Sequence, residues 1–300
     1  DRDRPFRIGV LSESWGPTLQ VVGLRDGLIA LGYREDKDFV LGVRFTQGDL
    51  AALPAAAREL VQYEVDLIVT PNGNTTKAAQ EATSTIPIVF VGVEDPVGAG
   101  LIESFARPGG NMTGVATLDI ELSPKRLQIF RDMIPGLQRV LFLYDPADAG
   151  SVAAAKMYRD AAQRLGIVLV EQIVRSKEEV QAVLAEVRQK RVDGILGPRC
   201  CALDIPGLIL QAATQQAIPA IYNVEFWPKH GALASYGPNF YAAGRQAARL
   251  VEKIFKGANP AEIPVEASSK IEFVINLKTA KALGLTIAPE VLYRADQIVR

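Results

Sequence analysis

The stretch Val65-Asp66-Leu67-Ile68-Val69-Thr70-Pro71 returns later in the chain as Val192-Asp193-Gly194-Ile195-Leu196-Gly197-Pro198. It is the middle of three echoes. "LRDGLIALGY" at 24–33 reappears as "YRDAAQRLGI" at 158–167, and "ATSTIPIVF" at 82–90 reappears as "ATQQAIPAIY" at 213–222. One such match arises easily by chance; three in the same order do not. The chain is therefore two copies of one plan, separated by small insertions.

Each copy alternates short apolar runs with helical spacings. Residues 7–11, 40–45, 65–69 and 86–91 read as buried strands, and 20–32, 53–63 and 77–83 as helices. In the second copy, 137–144 reads as a strand and 152–165 as a helix stopped by Gly166. Strands alternating with helices predict α/β halves with parallel sheets covered on both faces. In such sheets ligands bind at the carboxyl ends of strands, beside helix N-termini. The turn "PNGNTT" after the first Val-Asp strand then corresponds to "PRCCALD" after the second, and two such halves would enclose a cleft.

Charge removes one class of partner. Lys plus Arg number 33 against 34 Asp plus Glu, and no basic run with interleaved aromatics is present, so nucleic acid is not expected. No apolar stretch reaches the roughly 20 residues of a membrane span. The start Asp1-Arg2-Asp3-Arg4 reads as a mature or trimmed chain with its signal segment absent.

Catalytic and metal constellations are sparse. His230 is the one histidine and no Gly-x-Ser-x-Gly elbow occurs, so a Ser-His-Asp hydrolase has little support. Cys200 and Cys201 are adjacent and read as two small thiols; with one histidine they make no spaced zinc site. No phosphate loop is found, and "GAGLIE" at 98–103 lacks the third glycine of a dinucleotide loop. Neither an enzyme, a metal nor a cofactor is expected.

Binding chemistry is better supplied. Asn74, Thr75 and Thr76 stand where a helix begins, either as plain caps or as partners for a carboxylate. Trp15 sits in a strand-to-helix loop, either to stack on a planar ligand or as a plain exposed or core-edge ring. Arg199 follows the second Val-Asp strand and suits a carboxylate or Glu225. Glu94, Asp95, Asp119 and Glu225 fall near strand ends, where one or more would receive an ammonium group.

Four further stretches carry a family resemblance: 86–115, 125–135, 218–257 (with "ASYGPNFYAAGRQAARLVEKIFKG") and 273–299. Together they resemble the substrate-binding proteins of bacterial ABC importers, in the family with tryptophan- and tyrosine-binding members. The resemblance implies a type I periplasmic-binding-protein fold, two Rossmann-like lobes joined by three crossover strands. It places lobe 1 at 1–118 plus 238–268, and lobe 2 at 119–237 plus 269–300. It also implies a monomer outside the cytoplasm, with no cofactor, that captures a small ligand by hinge closure and delivers it to an ABC permease. A ligand-sensing domain of the same fold is the alternative.

By resemblance the pocket uses 12–17, including Ser14 and Trp15, then Asn72–Thr76, Glu94, Asp95 and Asp119. Its other side uses 145–149 with Asp145, 198–201 with Arg199, then Asn223, Glu225 and Tyr236. The expected ligand is an aromatic amino acid or related aromatic carboxylate. Trp15, Phe226 and Tyr236 would supply rings, and Asn74–Thr76 would hold the carboxylate. The family pattern commonly reads Gly-Asp-Pro-Val where this chain has Glu94-Asp95-Pro96-Val97, so the pocket is individual here.

Overall fold

The computed structural model describes residues 4–187, 191–199, 207–268 and 270–300. Cys200 and Cys201 lie outside the described residues. The chain divides into unit 1, Asp1–Thr117 with Phe240–Lys270, and unit 2, Leu118–Asn239 with Ile271–Arg300.

Unit 1 begins β1 (Phe6–Ser12), α1 (Leu19–Ala30), β2 (Phe39–Phe45), α2 (Leu53–Gln62) and β3 (Leu67–Thr70). It continues α3 (Gly73–Ala82), β4 (Ile88–Val93) and β5 (Met112–Ala116), and is completed by α9 (Phe240–Phe255) and β11 (Glu266–Ala267). The sheet runs β11-β5-β4-β3-β1-β2, and every pair is parallel. Alternation along the strands feeds two cores. Val10, Leu67 and Val69 face the layer of α1 and α9, whereas Leu11 and Ile68 face α2 and α3. The first layer depends on glycine. A Cβ on Gly23 of α1 would collide with the Tyr241 carbonyl, and one on Gly244 of α9 with the Gln20 carbonyl, so the two helices meet backbone to backbone.

Unit 2 runs α4 (Ser123–Met133), β6 (Arg139–Tyr144), α5 (Ala149–Leu165), β7 (Val168–Ile173), α6 (Lys177–Ala185) and β8 (Gly194–Leu196). Then come α7 (Leu208–Gln215), β9 (Ala220–Tyr222), α8 (Phe226–Lys229), β10 (Ala234–Pro238), β12 (Ile271–Asn276), α10 (Leu277–Ala282), α11 (Pro289–Tyr293) and β13 (Gln297–Val299). Its sheet order is β13-β12-β10-β9-β8-β6-β7, parallel except where β12 pairs antiparallel with β10. Val140 and Phe142 of β6 pack in the core with α4 and α5, and Leu141 and Leu143 in the core with α6 and α7. Burial on both faces explains why these strands read as unbroken apolar runs.

Two helices start several residues earlier than the sequence expectation. Helix α3 begins at Gly73 rather than 77, because Asn72 caps it and draws the polar residues into the first turn. Helix α5 begins at Ala149 rather than 152, capped by Asp148. Caps start helices earlier than apolar spacing suggests.

Candidate functional site

In unit 1 the residues singled out from sequence gather at the carboxyl ends of three parallel strands. After β1, the Ser14 hydroxyl lies 2.7 Å from that of Ser12 and donates to the Gly16 carbonyl at 2.6 Å. These bonds tie the loop down. Glu13 beside them is buried, while the Trp15 ring is 42% exposed.

After β3, the Asn72 side chain accepts from the Thr75 backbone N–H at 3.0 Å, and the Thr75 hydroxyl accepts in turn from the Asn72 N–H, closing a capping box. The Thr76 hydroxyl donates to the Asn72 carbonyl at 2.6 Å and lies 2.8 Å from the Thr70 hydroxyl. Thr75 and Thr76 are fully buried. Their hydroxyls build the turn itself, and Asn74 between them and the cap is half-buried.

After β4, Glu94 is half-buried and Asp95 exposed. The Asp95 carboxylate accepts from the Gly98 N–H at 2.8 Å and shapes its own turn.

Unit 2 brings more of the flagged residues into direct contact, around Asp119. This carboxylate is 1% exposed. Its Oδ2 accepts from Nη1 of Arg199 at the end of β8 and from Nδ2 of Asn223 at the end of β9, the latter at 2.7 Å. Its Oδ1 accepts from Nη2 of Arg126 at 2.5 Å. Arg126 also donates to the Tyr236 carbonyl at 2.6 Å and to the Tyr158 hydroxyl at 2.6 Å. Glycine makes room for this junction: a Cβ on Gly237 of β10 would collide with the Asn223 carbonyl.

Burial works against the charge on Asp119, but Arg199 and Arg126, helped by the Asn223 amide, outweigh it and hold the carboxyl below its ordinary range. Burial likewise opposes the charge on Arg126, and Tyr158 and Asp119 beside it keep the guanidinium above its ordinary range.

Arg126 and Tyr158 escaped the sequence reading. The signal was a cation within the buried face of α4, which also contains Leu127, Phe130 and Met133. A charge at a core position needs a partner, and that rule would have flagged Arg126. Tyr158 stands likewise on the alanine-lined buried face of α5.

Asp145 is half-buried and accepts from the Ala147 N–H at 2.8 Å. Glu225 is buried at the start of α8. Phe226, 42% exposed, stacks on His230 with ring centres 3.9 Å apart, and Tyr236 packs edge-on against Phe273 at 6.1 Å. His230 Nδ1 lies 2.8 Å from the Phe226 carbonyl oxygen. The described residues also contain no group of three His, Cys, Asp or Glu side chains placed to hold a metal, and no helix among them is long and apolar enough to cross a membrane.

Comparison with known proteins bears on this arrangement. Residues 8–299 match the family model described as ABC transporter substrate binding protein. The chain is 27% identical over 256 residues to a tyrosine-binding protein of Clostridioides difficile (strain R20291), covering 85% of this chain and 73% of the relative. It is similar to a crystal structure of a conserved domain protein from Vibrio cholerae O1 biovar El Tor, with a TM-score of 0.87 and 32% identity over 98% of this chain and 100% of that one. A structure from Streptococcus pneumoniae, described as an ABC domain in complex with L-Trp, gives a TM-score of 0.86 at 26% identity, again over 98% of this chain and 100% of that one.

Proposed function

The chain belongs to the ABC transporter substrate-binding protein family, and on that premise we propose that it is the extracytoplasmic solute-binding component of an importer. It takes up a small aromatic amino acid or related aromatic carboxylate by hinge closure and hands it to a membrane permease. The family is one of binding proteins, so the ligand leaves as it arrived.

The observation that carries the reading is the L-Trp held by a neighbour of 26% identity and TM-score 0.86. The relative named as tyrosine-binding points to the same ligand class. The chemistry available here agrees. Exposed Trp15 and Phe226 offer ring surfaces, and Arg199 and the start of α3 offer groups that attract a carboxylate.

A thermal-shift screen tests the reading. At about 100 times its dissociation constant, a ligand stabilises the native state by about 2.7 kcal/mol. A clear shift with tyrosine, tryptophan or phenylalanine, followed by recovery of unmodified ligand, is expected. Shifts confined to aliphatic or non-acidic compounds would discard the aromatic ligand, and a chemically altered product would discard the transport reading.

A further inference from the structure

We infer that Asp66 and Asp193, the aspartates of the repeated Val-Asp pair, are positioning residues. Each locks one short parallel strand in register and so fixes where the turn after that strand emerges, a role that rests on the proposed function, in which those turns meet the ligand.

The two aspartates make the same pair of bonds. The Asp66 N–H donates to the Arg7 carbonyl at 2.8 Å, and its Oδ2 accepts from the Arg7 N–H at 2.8 Å. The Asp193 N–H donates to the Arg139 carbonyl at 2.8 Å, and its Oδ2 accepts from the N–H groups of Arg139 at 2.8 Å and Gln138 at 3.0 Å. Each aspartate thus grips both backbone groups of one residue on the neighbouring strand. It does so one step before the ladders begin, at Ile8 with Leu67 and at Val140 with Gly194. A slip of one residue breaks both bonds.

The strands need such a lock. β3 and β8 have 4 and 3 residues, all buried. In a strand covered on both faces, apolar alternation does not tell one register from the next. A slip would carry the following turn about 3.3 Å along the sheet and exchange the faces of its side chains. After β3 that turn contains Asn72, Thr75 and Thr76; after β8 it begins at Pro198 and Arg199.

A third clasp supplies a control. The Asp296 N–H donates to the Phe273 carbonyl at 2.9 Å, and its Oδ2 accepts from the Phe273 N–H at 2.8 Å, one step before Val274 pairs with Gln297. None of the candidate ligand residues follows β13. Asp66 has one addition: its two oxygens also accept from the Arg4 guanidinium at 2.8 and 2.9 Å. The Arg4 side chain is 42% exposed, and exposed ion pairs contribute little.

The test replaces each aspartate by alanine, which removes the clasp, and by asparagine, whose Oδ1 keeps an acceptor without the charge. Hydrogen exchange reads the far end of each strand: the Thr75 and Thr76 amides for Asp66, and for Asp193 the Gly197 amide, which donates to the Ile221 carbonyl at 2.8 Å. Titration with L-tryptophan reads binding. Asp66→Ala and Asp193→Ala should each raise exchange at those amides about tenfold and weaken L-tryptophan about tenfold, with the asparagine variants within about threefold of wild type. Asp296→Ala should lower the urea midpoint yet leave L-tryptophan affinity unchanged. Arg4→Ala should match wild type in exchange, which keeps the unit 1 arm decisive should Asp66→Ala not fold.

Wild-type exchange at Thr75, Thr76 and Gly197 in the alanine variants overturns the inference. So does an equal loss of affinity in Asp296→Ala, which would make the effect one of general destabilisation. Asp66→Asn or Arg4→Ala as damaging as Asp66→Ala would assign the effect to the ion pair and overturn the clasp. A wild-type chain that ignores L-tryptophan defeats the proposed aromatic ligand alone; the exchange pattern and its rescue by asparagine still decide whether the clasps set the register.

Discussion

Arg126 donates from Nη2 to Asp119 Oδ1 at 2.5 Å, with the two side chains 2% and 1% exposed. Charges so buried survive only when each is paired and hydrogen-bonded, and Tyr158, Tyr236, Asn223 and Arg199 complete the set. Removing one member strands the others. Arg126→Met should destabilise unit 2 by about 3–5 kcal/mol, and Tyr158→Phe by about 1–3 kcal/mol. Urea unfolding followed by probes in each unit measures both, and equal stability of Arg126→Met would show that the network contributes nothing.

The depressed pKa of Asp119 makes a pH prediction of definite sign. The group's contribution is fully present above the unfolded carboxylate value, about 3.9, and is lost as pH falls through the lower folded value. Wild-type stability should therefore fall in this acid range, and Asp119→Asn should flatten that part of the profile. Loss of the same contribution near neutral pH would contradict the assignment.

The capping box makes Asn72 and Thr75 structural in the first instance, as the bond from its hydroxyl to the Asn72 carbonyl makes Thr76. Asn72→Ala should cost about 1 kcal/mol, and burying Val in place of either threonine hydroxyl about 1–3 kcal/mol. Hydrogen exchange at the start of α3 should rise in all three variants. Unchanged protection would mean the turn is held by other contacts.

The meeting of α1 and α9 tolerates no side chain at its closest points. Gly23→Ala or Gly244→Ala should cost about 1–3 kcal/mol by forcing the helices apart. Thermal melting of either variant reads this directly, and a wild-type midpoint would show that the backbones can separate freely.

The α/β class was legible because its cause is local. In "VDLIVTP" and "VDGILGP" the apolar run that fills a doubly covered strand is the whole signal, and these stretches contain β3 and β8. Asp119 and Arg199 were legible as polar residues near strand ends, and Asn223 through the family resemblance. That they touch was not, because their separations of 80 and 104 residues are closed only by the sheet. Arg126 was hidden for a different reason: in a helix of favourable spacing, one long cation reads as a solvated residue until its partners are seen. Thr75 and Thr76 were ambiguous from the start, since a hydroxyl that caps a helix and one that meets a ligand look alike in sequence.

Calorimetric titration with L-tyrosine and L-tryptophan, with the ligand recovered and identified afterwards, tests the central claim most directly. Saturable one-to-one binding with the ligand returned intact is the predicted result. Absence of heat and of thermal stabilisation with every aromatic amino acid and aromatic carboxylate, or a chemically changed ligand, would contradict it.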